Sequence, residues 1–255
     1  MTDRSDQPID ACLPPQRLRQ CVQQAAHYQS HLQRWSWPQQ QTQHASEAAI
    51  LIPFFAAPEA SADKGVSKAH ARSGSLRMLL TRRARHLRRH AGQMSFPGGV
   101  IEPGDASLLA TAMRETTEET GIHGDFIQPL AKLGDMLTIS GYRLHVYMGW
   151  LQPGFTVLPD PNEVDAVFMP AAETALDAHN YQWQQRETPA GHVRMPEMQL
   201  EQQRVWGITA VIIWHLSCLW HQHSNIMADG QNISPAPAWP QSDTQQHSAG
   251  KRSKQ

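Results

Sequence analysis

Glu115, Glu118 and Glu119 stand within five residues of one another in the stretch RETTEETG, with Arg114 in front and Gly121 behind. Spacings of three and four residues stack side chains on one side of a helix, so a helical reading brings the three carboxylates together. Like charges at that separation repel, and the negative end of the helix dipole near Gly121 adds to the repulsion. A divalent cation resolves the conflict, and an oxygen-only donor set selects Mg²⁺ or Mn²⁺ over softer ions. Mg²⁺ also takes phosphate oxygens as ligands, which points to a phosphorylated substrate. An isolated acidic cluster reads as a solvated helix face. A glycine turn and a helix cap upstream argue for the sharper reading.

Those upstream signals set the elements that must position the acids. Phe96-Pro97-Gly98-Gly99 reads as a loop or strand end where glycine allows a ligand to approach the backbone closely. Asp105 is the expected N-cap and Gly121 the C-terminal stop of a helix from Ala106 to Thr120. Leu109, Met113, Thr116 and Thr120 are expected to pack inward. Arg114 precedes Glu118 by four and is placed to bridge to it. Further upstream, TRRARHLRRH from Thr81 to His90 holds five arginines and two histidines without an acid. No aromatic residues interleave there to stack bases, which argues against a nucleic-acid surface. Arg82, Arg85 and Arg89 read as solvated, and His86 and His90 as surface residues.

The rest of the chain alternates strand and helix signals. A helix is expected from Pro15 to Trp35, and strands at Ala48–Phe55 and Leu76–Leu80, the two as a hairpin pair around a polar loop from Ala57 to Ser75. Further strands are expected at Phe126–Thr138 and Tyr142–Leu151, turning at Ser140-Gly141, and at Val164–Met169. Residues 171–180 read as helical and 192–200 as extended. The apolar run Ile208–Trp220 has thirteen residues, short of the ~20 a membrane helix needs, and is expected to be a buried helix. Residues 1–45 form an N-terminal extension, residues 46–221 one mixed α/β domain, and the Gln-, Ser- and Pro-rich residues 222–255 a disordered tail. A net charge of -1 in 255 residues provides no global field toward nucleic acid or membrane. Three scattered cysteines and a polar N-terminus suit a cytoplasmic protein.

The stretch from Gly99 to Ile122 resembles the Nudix box: a glycine, five residues, an acid, then R-E-apolar-x-E-E-x-G-apolar. Here the acid is Asp105 in place of glutamate, eight residues instead of seven lead to Arg114, and Thr116 replaces an apolar residue. These departures, with Thr81, Arg83, Ala84, Arg88, Gly92, Phe96, Pro97, Gly98 and Gly99 upstream, are similar to the coenzyme A pyrophosphatase branch. Asn162-Glu163-Val164 and Val205-Trp206-Gly207-Ile208-Thr209-Ala210 add weaker similarity, so the resemblance spans about residues 48–220.

The resemblance implies an α/β/α sandwich with a mixed central sheet and the box as a loop–helix–loop. It implies metal-dependent cleavage of coenzyme A or acyl-coenzyme A to adenosine 3',5'-bisphosphate and (acyl-)phosphopantetheine. Glu115 and Glu119 would be metal ligands and Glu118 a third ligand or the base, with Arg114 orienting a carboxylate. Arg83 and Arg88 would take substrate phosphates, and a carbonyl of Gly98 or Gly99 would complete the coordination. Gln93 and Ser95 read equally as substrate contacts or as structural residues. Glu163 reads more readily as a surface acid than as a distal ligand, and Trp206-Gly207 more readily as packing at a helix start than as a base platform. Two alternatives stand beside this: a Nudix enzyme for ADP-ribose, a dinucleoside polyphosphate or an oxidised nucleotide, and a non-catalytic nucleotide- or RNA-binding module.

Overall fold

The computed structural model describes residues 13–33, 45–57, 75–188 and 191–221. Its centre is a mixed sheet built on β1 (Ser46–Ala56). That strand runs parallel to β7 (Tyr142–Leu151) and antiparallel to both β2 (Leu76–Met78) and β5 (Gly98–Val100), while β6 (Ile127–Leu137) closes the far side against β7. Two small sheets flank it. In one, β3 (Leu80–Arg83) lies between β4 (Met94–Ser95) and β8 (Val164–Phe168). In the other, β10 (Gly191–Leu200) lies between β9 (Tyr181–Thr188) and β11 (Gln203–Val205).

Strand alternation divides the core in two. Ala49, Leu51 and Phe55 of β1 pack with Ala112 and Ile122 of the α2 (Leu108–Thr120) region, whereas Ile52 and Phe54 face the larger cluster on the opposite side. That larger cluster is covered by α1 (Gln16–Gln33) and α4 (Gly207–His221). A sheet covered on both faces needs apolar residues at nearly every position, which is why AAILIPFF shows no clean alternation. The result is an α/β/α arrangement. Helix α1 buries Leu18, Cys21, Ala25 and Leu32 in the same core as the sheet, although it lies within the segment read as an extension.

The Leu76–Leu80 region does pair with β1, and the expected turn at Gly141 has a φ of 84°. The expected helix over 171–180 is shorter: α3 (Ala172–Ala175) is followed by one 3-10 turn at Ala178–Asn180. Strand β9 was not anticipated, because YQWQQRET carries too little hydrocarbon to declare itself. No helix among the described residues is long and apolar enough to cross a membrane. The expected disordered tail, most of the loop 57–75 and the end of the first helix at Trp35 lie outside the described residues.

Candidate active site

Helix α2 begins two residues later than expected. Its N-cap is Ser107, whose Oγ accepts from the backbone N–H of Ala110 at 3.1 Å. Asp105 is not the cap. Its carboxylate accepts from Arg114 Nε at 2.9 Å and Nη2 at 3.1 Å, from Thr111 Oγ1 at 2.9 Å and from the Glu102 backbone N–H at 2.9 Å. Hydrogen bonding to Arg114 holds the Asp105 carboxyl well below the usual carboxylate range, and raises Arg114 in turn. The same guanidinium donates to Glu118 Oε2 at 2.7 Å, lies 3.1 Å from Glu115 Oε1, and donates to the Val100 carbonyl at 3.3 Å. Arg114 therefore clamps the loop before α2 to the acids on its last two turns.

The helix ends at Gly121, with a left-handed φ of 70° that suits glycine, and its N–H bonds the Thr117 carbonyl at 2.8 Å. Of the inward set expected, Thr116 and Thr120 are buried, while Leu109 and Met113 are half-buried; Thr111 and Ala112 complete the buried face. The chain following β7 then crosses the helix end. Leu158 N–H donates to the Thr120 carbonyl at 2.8 Å and Asp160 N–H to the Glu119 carbonyl at 3.3 Å, satisfying terminal carbonyls that the helix cannot. Three residues on, the Glu163 carbonyl accepts from Ala84 N–H at 2.7 Å as β8 joins β3.

This crossing delivers Glu163 to the helical acids. Oxygens of Glu115, Glu119 and Glu163 lie within 4.8 Å of one another. Glu163, read from sequence as a surface acid, is exposed but belongs to this group. Glu118 does not; its side chain is 53% exposed and turned to Arg114. Glu119 is 2% exposed, accepts from Thr81 Oγ1 at 3.1 Å, and lies 3.9 Å from Arg83 Nη1. Burial pushes its carboxyl up to about 7, against the pull of Arg83 and Thr81 and with the push of Glu115 and Glu163. Burial raises Glu115 as well, opposed by Arg114.

The donor set fits a hard divalent cation. All three groups supply oxygen, and the upward shift of Glu119 marks negative charge without enough compensation. Gly99 supports the same fit: a Cβ there would run into the Glu115 carboxylate, so glycine leaves that carboxylate its place.

Beside the acids lies a cavity of about 500 Å³. Arg83, Gln93, Ser95, Gly98 and Gly99 line it, five of the six residues expected to contact substrate. Arg88, the sixth, is exposed on the turn after β3 and is outside that lining. Ser95 also lies 3.3 Å from Thr81 Oγ1, and Gln93 Oε1 2.9 Å from His90 Nδ1, so both have structural contacts too. Most of the wall is hydrocarbon, from Ile50, Phe96, Met136, Leu144, Ile208 and Ile212.

Of the three arginines expected to be solvated, Arg85 and Arg89 are exposed and Arg82 is tied down. Arg82 bonds Asp165 at 2.8 Å and Gln203 at 3.0 Å and covers the Phe168 ring, and Arg85 lies 3.8 Å from Asp165. Trp206 stands directly before α4, is 37% exposed and also lines the cavity. Thr81 and Asp105 acquire site roles that neither residue type announces by itself.

The NUDIX domain family model matches residues 66–188. A protein of Photorhabdus laumondii named "Uncharacterized Nudix hydrolase NudL" is 32% identical over 180 residues, covering 71% of this chain and 88% of that one. The protein of the same name from Yersinia pestis is 35% identical over 170 residues, covering 67% and 77%. Among solved structures, the Nudix hydrolase RenU of M. smegmatis is similar with TM-score 0.39 and 15% identity, covering 51% of this chain and 73% of its own. The NUDIX domain of Shewanella oneidensis NrtR, complexed with ADP ribose, is similar with TM-score 0.37 and 17% identity, covering 59% and 85%. A diphosphatase that acts on nucleoside diphosphate derivatives is the class defined here. The chain belongs to the Nudix hydrolase family, whose members generally need divalent metal ions.

Proposed function

We propose that this chain is a cytoplasmic coenzyme A diphosphatase, with residues 46–221 as its catalytic domain and Mg²⁺ or Mn²⁺ as its cofactor. The observation that carries the proposal is Arg83, which reaches Glu119 on one side and lines the cavity on the other. A diphosphate held by Arg83 would therefore lie next to the three carboxylates, with a largely apolar cavity beside it to receive an organic part of the substrate. The resemblance from Thr81 to Gly99 supports coenzyme A in particular.

Glu115, Glu119 and Glu163 would hold the cation, with the carbonyl of Gly98 or Gly99 adding to the set. When bound, the ion neutralises the diphosphate oxygens and acidifies water. Arg83 and Arg88 bind substrate phosphates, Arg83 beside Glu119 and Arg88 from the exposed turn. Arg114 keeps Glu115 and Glu118 oriented without touching substrate. Glu118, outside the three-carboxylate group, is the base that takes the proton of the attacking water. Water oxygen bonds to one phosphorus as the bridging P–O bond breaks, and the other phosphate leaves with that electron pair. Gln93 and Ser95, both in the cavity wall, would contact the substrate.

The test is product analysis. Purified protein with Mg²⁺ or Mn²⁺ and coenzyme A should yield adenosine 3',5'-bisphosphate and 4'-phosphopantetheine. Dephospho-coenzyme A and ADP-ribose, assayed in parallel, should turn over less efficiently. Equal or better use of ADP-ribose would remove coenzyme A as the substrate.

A further inference from the structure

Trp206 stands out from its neighbours. Val205 before it is fully buried and the helix after it is buried on almost every side, yet Trp206 keeps 37% of its surface. Gly207, with φ 66°, turns the chain into α4 directly behind it. The indole lines the same cavity as Arg83, Gly98 and Gly99. Two guanidiniums attend its ring, Arg186 at 5.7 Å and Arg204 at 5.5 Å from the centroid. Both also donate to one oxygen, Oε2 of Glu197, at 2.8 Å and 2.7 Å. The indole thus keeps exposed surface toward the cavity while two guanidiniums hold it in place. Two guanidiniums against one carboxylate leave the cluster net positive. Arg186 gives a single nitrogen to Glu197, whereas Arg204 gives two, and a guanidinium carries five N–H donors.

We propose that Trp206 is the platform on which the purine base of the substrate stacks, and that Arg186 pairs with the additional phosphate on the ribose. The inference rests on the coenzyme A diphosphatase reading and names how that site tells its substrate from close relatives. An indole at a cavity wall is tolerant of any base, since stacking uses the π-face and not the base edge. Selectivity for the extra phosphate then falls to the adjacent guanidinium, which suits phosphate geometry. Glu197 restrains Arg186 beside the ring before substrate arrives.

Calorimetric binding of adenosine 3',5'-bisphosphate, 5'-AMP and 4'-phosphopantetheine to the full chain, and to W206A, W206F and R186A, tests this. W206A should weaken adenosine 3',5'-bisphosphate and 5'-AMP by about tenfold, while W206F stays within about threefold of wild type because phenyl also stacks. Binding of 4'-phosphopantetheine should not change. R186A should weaken adenosine 3',5'-bisphosphate and leave 5'-AMP alone, a split that loss of a structural ion pair would not produce. Unchanged adenosine bisphosphate binding in W206A overturns the proposal, as does a loss confined to 4'-phosphopantetheine. If the wild type cleaves no coenzyme A but W206A still loses 5'-AMP and ADP-ribose, the platform stands and the coenzyme A reading fails.

Discussion

Arg83 Nη1 lies 3.9 Å from Glu119 Oε1, across the boundary between the substrate cavity and the buried acid. The separation exceeds a hydrogen bond, so the pair acts through charge, and Thr81 supplies the direct bond to that carboxylate. Glu119 is thus buried with less compensation than an ionised carboxylate requires, which is the state a cation would relieve.

Replacing Glu119 with Gln should therefore act in opposite directions on activity and stability. Turnover with metal and substrate should fall on the order of 100-fold or more. Metal-free protein at pH 8 should melt at the same or a higher temperature, because a buried charge has been removed. Steady-state kinetics and a thermal melt check the two halves.

The pH dependence follows from the same residue. Its folded value of about 7 stands above the ordinary 4.5, so the folded state binds an extra proton between those values. The stability this adds is fully present below 4.5 and lost as pH rises through 7. Metal-free protein should lose melting temperature across that window. A divalent cation needs the deprotonated form, so its affinity should rise up to about tenfold per pH unit until pH 7 and then level. Calorimetry in buffers of different ionisation enthalpy should detect proton release on Mn²⁺ binding at pH 6 and little at pH 8.5.

The neighbouring glycines should respond differently to alanine. In G99A the new Cβ meets the movable end of Glu115, so folding should survive while Mn²⁺ affinity drops about 10- to 100-fold. In G98A the Cβ meets the Ala49 carbonyl and Ile50 backbone at a φ of 155°, and nothing flexible can yield. That variant should lose about 1–3 kcal/mol of stability. Denaturant unfolding and metal titration separate the two.

Arg114 holds Asp105 through two nitrogens while also reaching Glu118 and Glu115. Lysine keeps the charge but loses the fork. R114K should therefore lower the melting temperature and weaken Mn²⁺ binding by roughly tenfold, in the range seen when groups supporting metal ligands are lost. Melts and metal titration of that variant are the check.

These residues also mark where the sequence is legible. Glu115 and Glu119 share a helical face by spacing alone, and the basic run near them could be read as a phosphate contact. Glu163 could not be placed that way. It reaches the site only because the chain takes the last carbonyls of α2 and then pairs β8 with β3, contacts that no local pattern records. Asp105 looked like a cap because it precedes a helix, yet Ser107 was nearer and the carboxylate had a guanidinium to satisfy. Trp206 looked like core because hydrophobic runs adjoin it on one side, whereas the positive cluster from β9, β10 and β11 keeps it at the cavity. The sheet order was partly visible in the hairpins, but the parallel pairing of β1 with β7 joins residues 96 positions apart.

Mn²⁺ affinity of E163Q and E118Q, measured side by side by calorimetry on the full chain, addresses the three-carboxylate site itself. E163Q should bind Mn²⁺ at least about tenfold more weakly than wild type, and E118Q should stay close to it. Normal affinity in E163Q with a loss in E118Q would mean that Glu118 and not Glu163 holds the cation, and the arrangement of Glu115, Glu119 and Glu163 would not be the metal site.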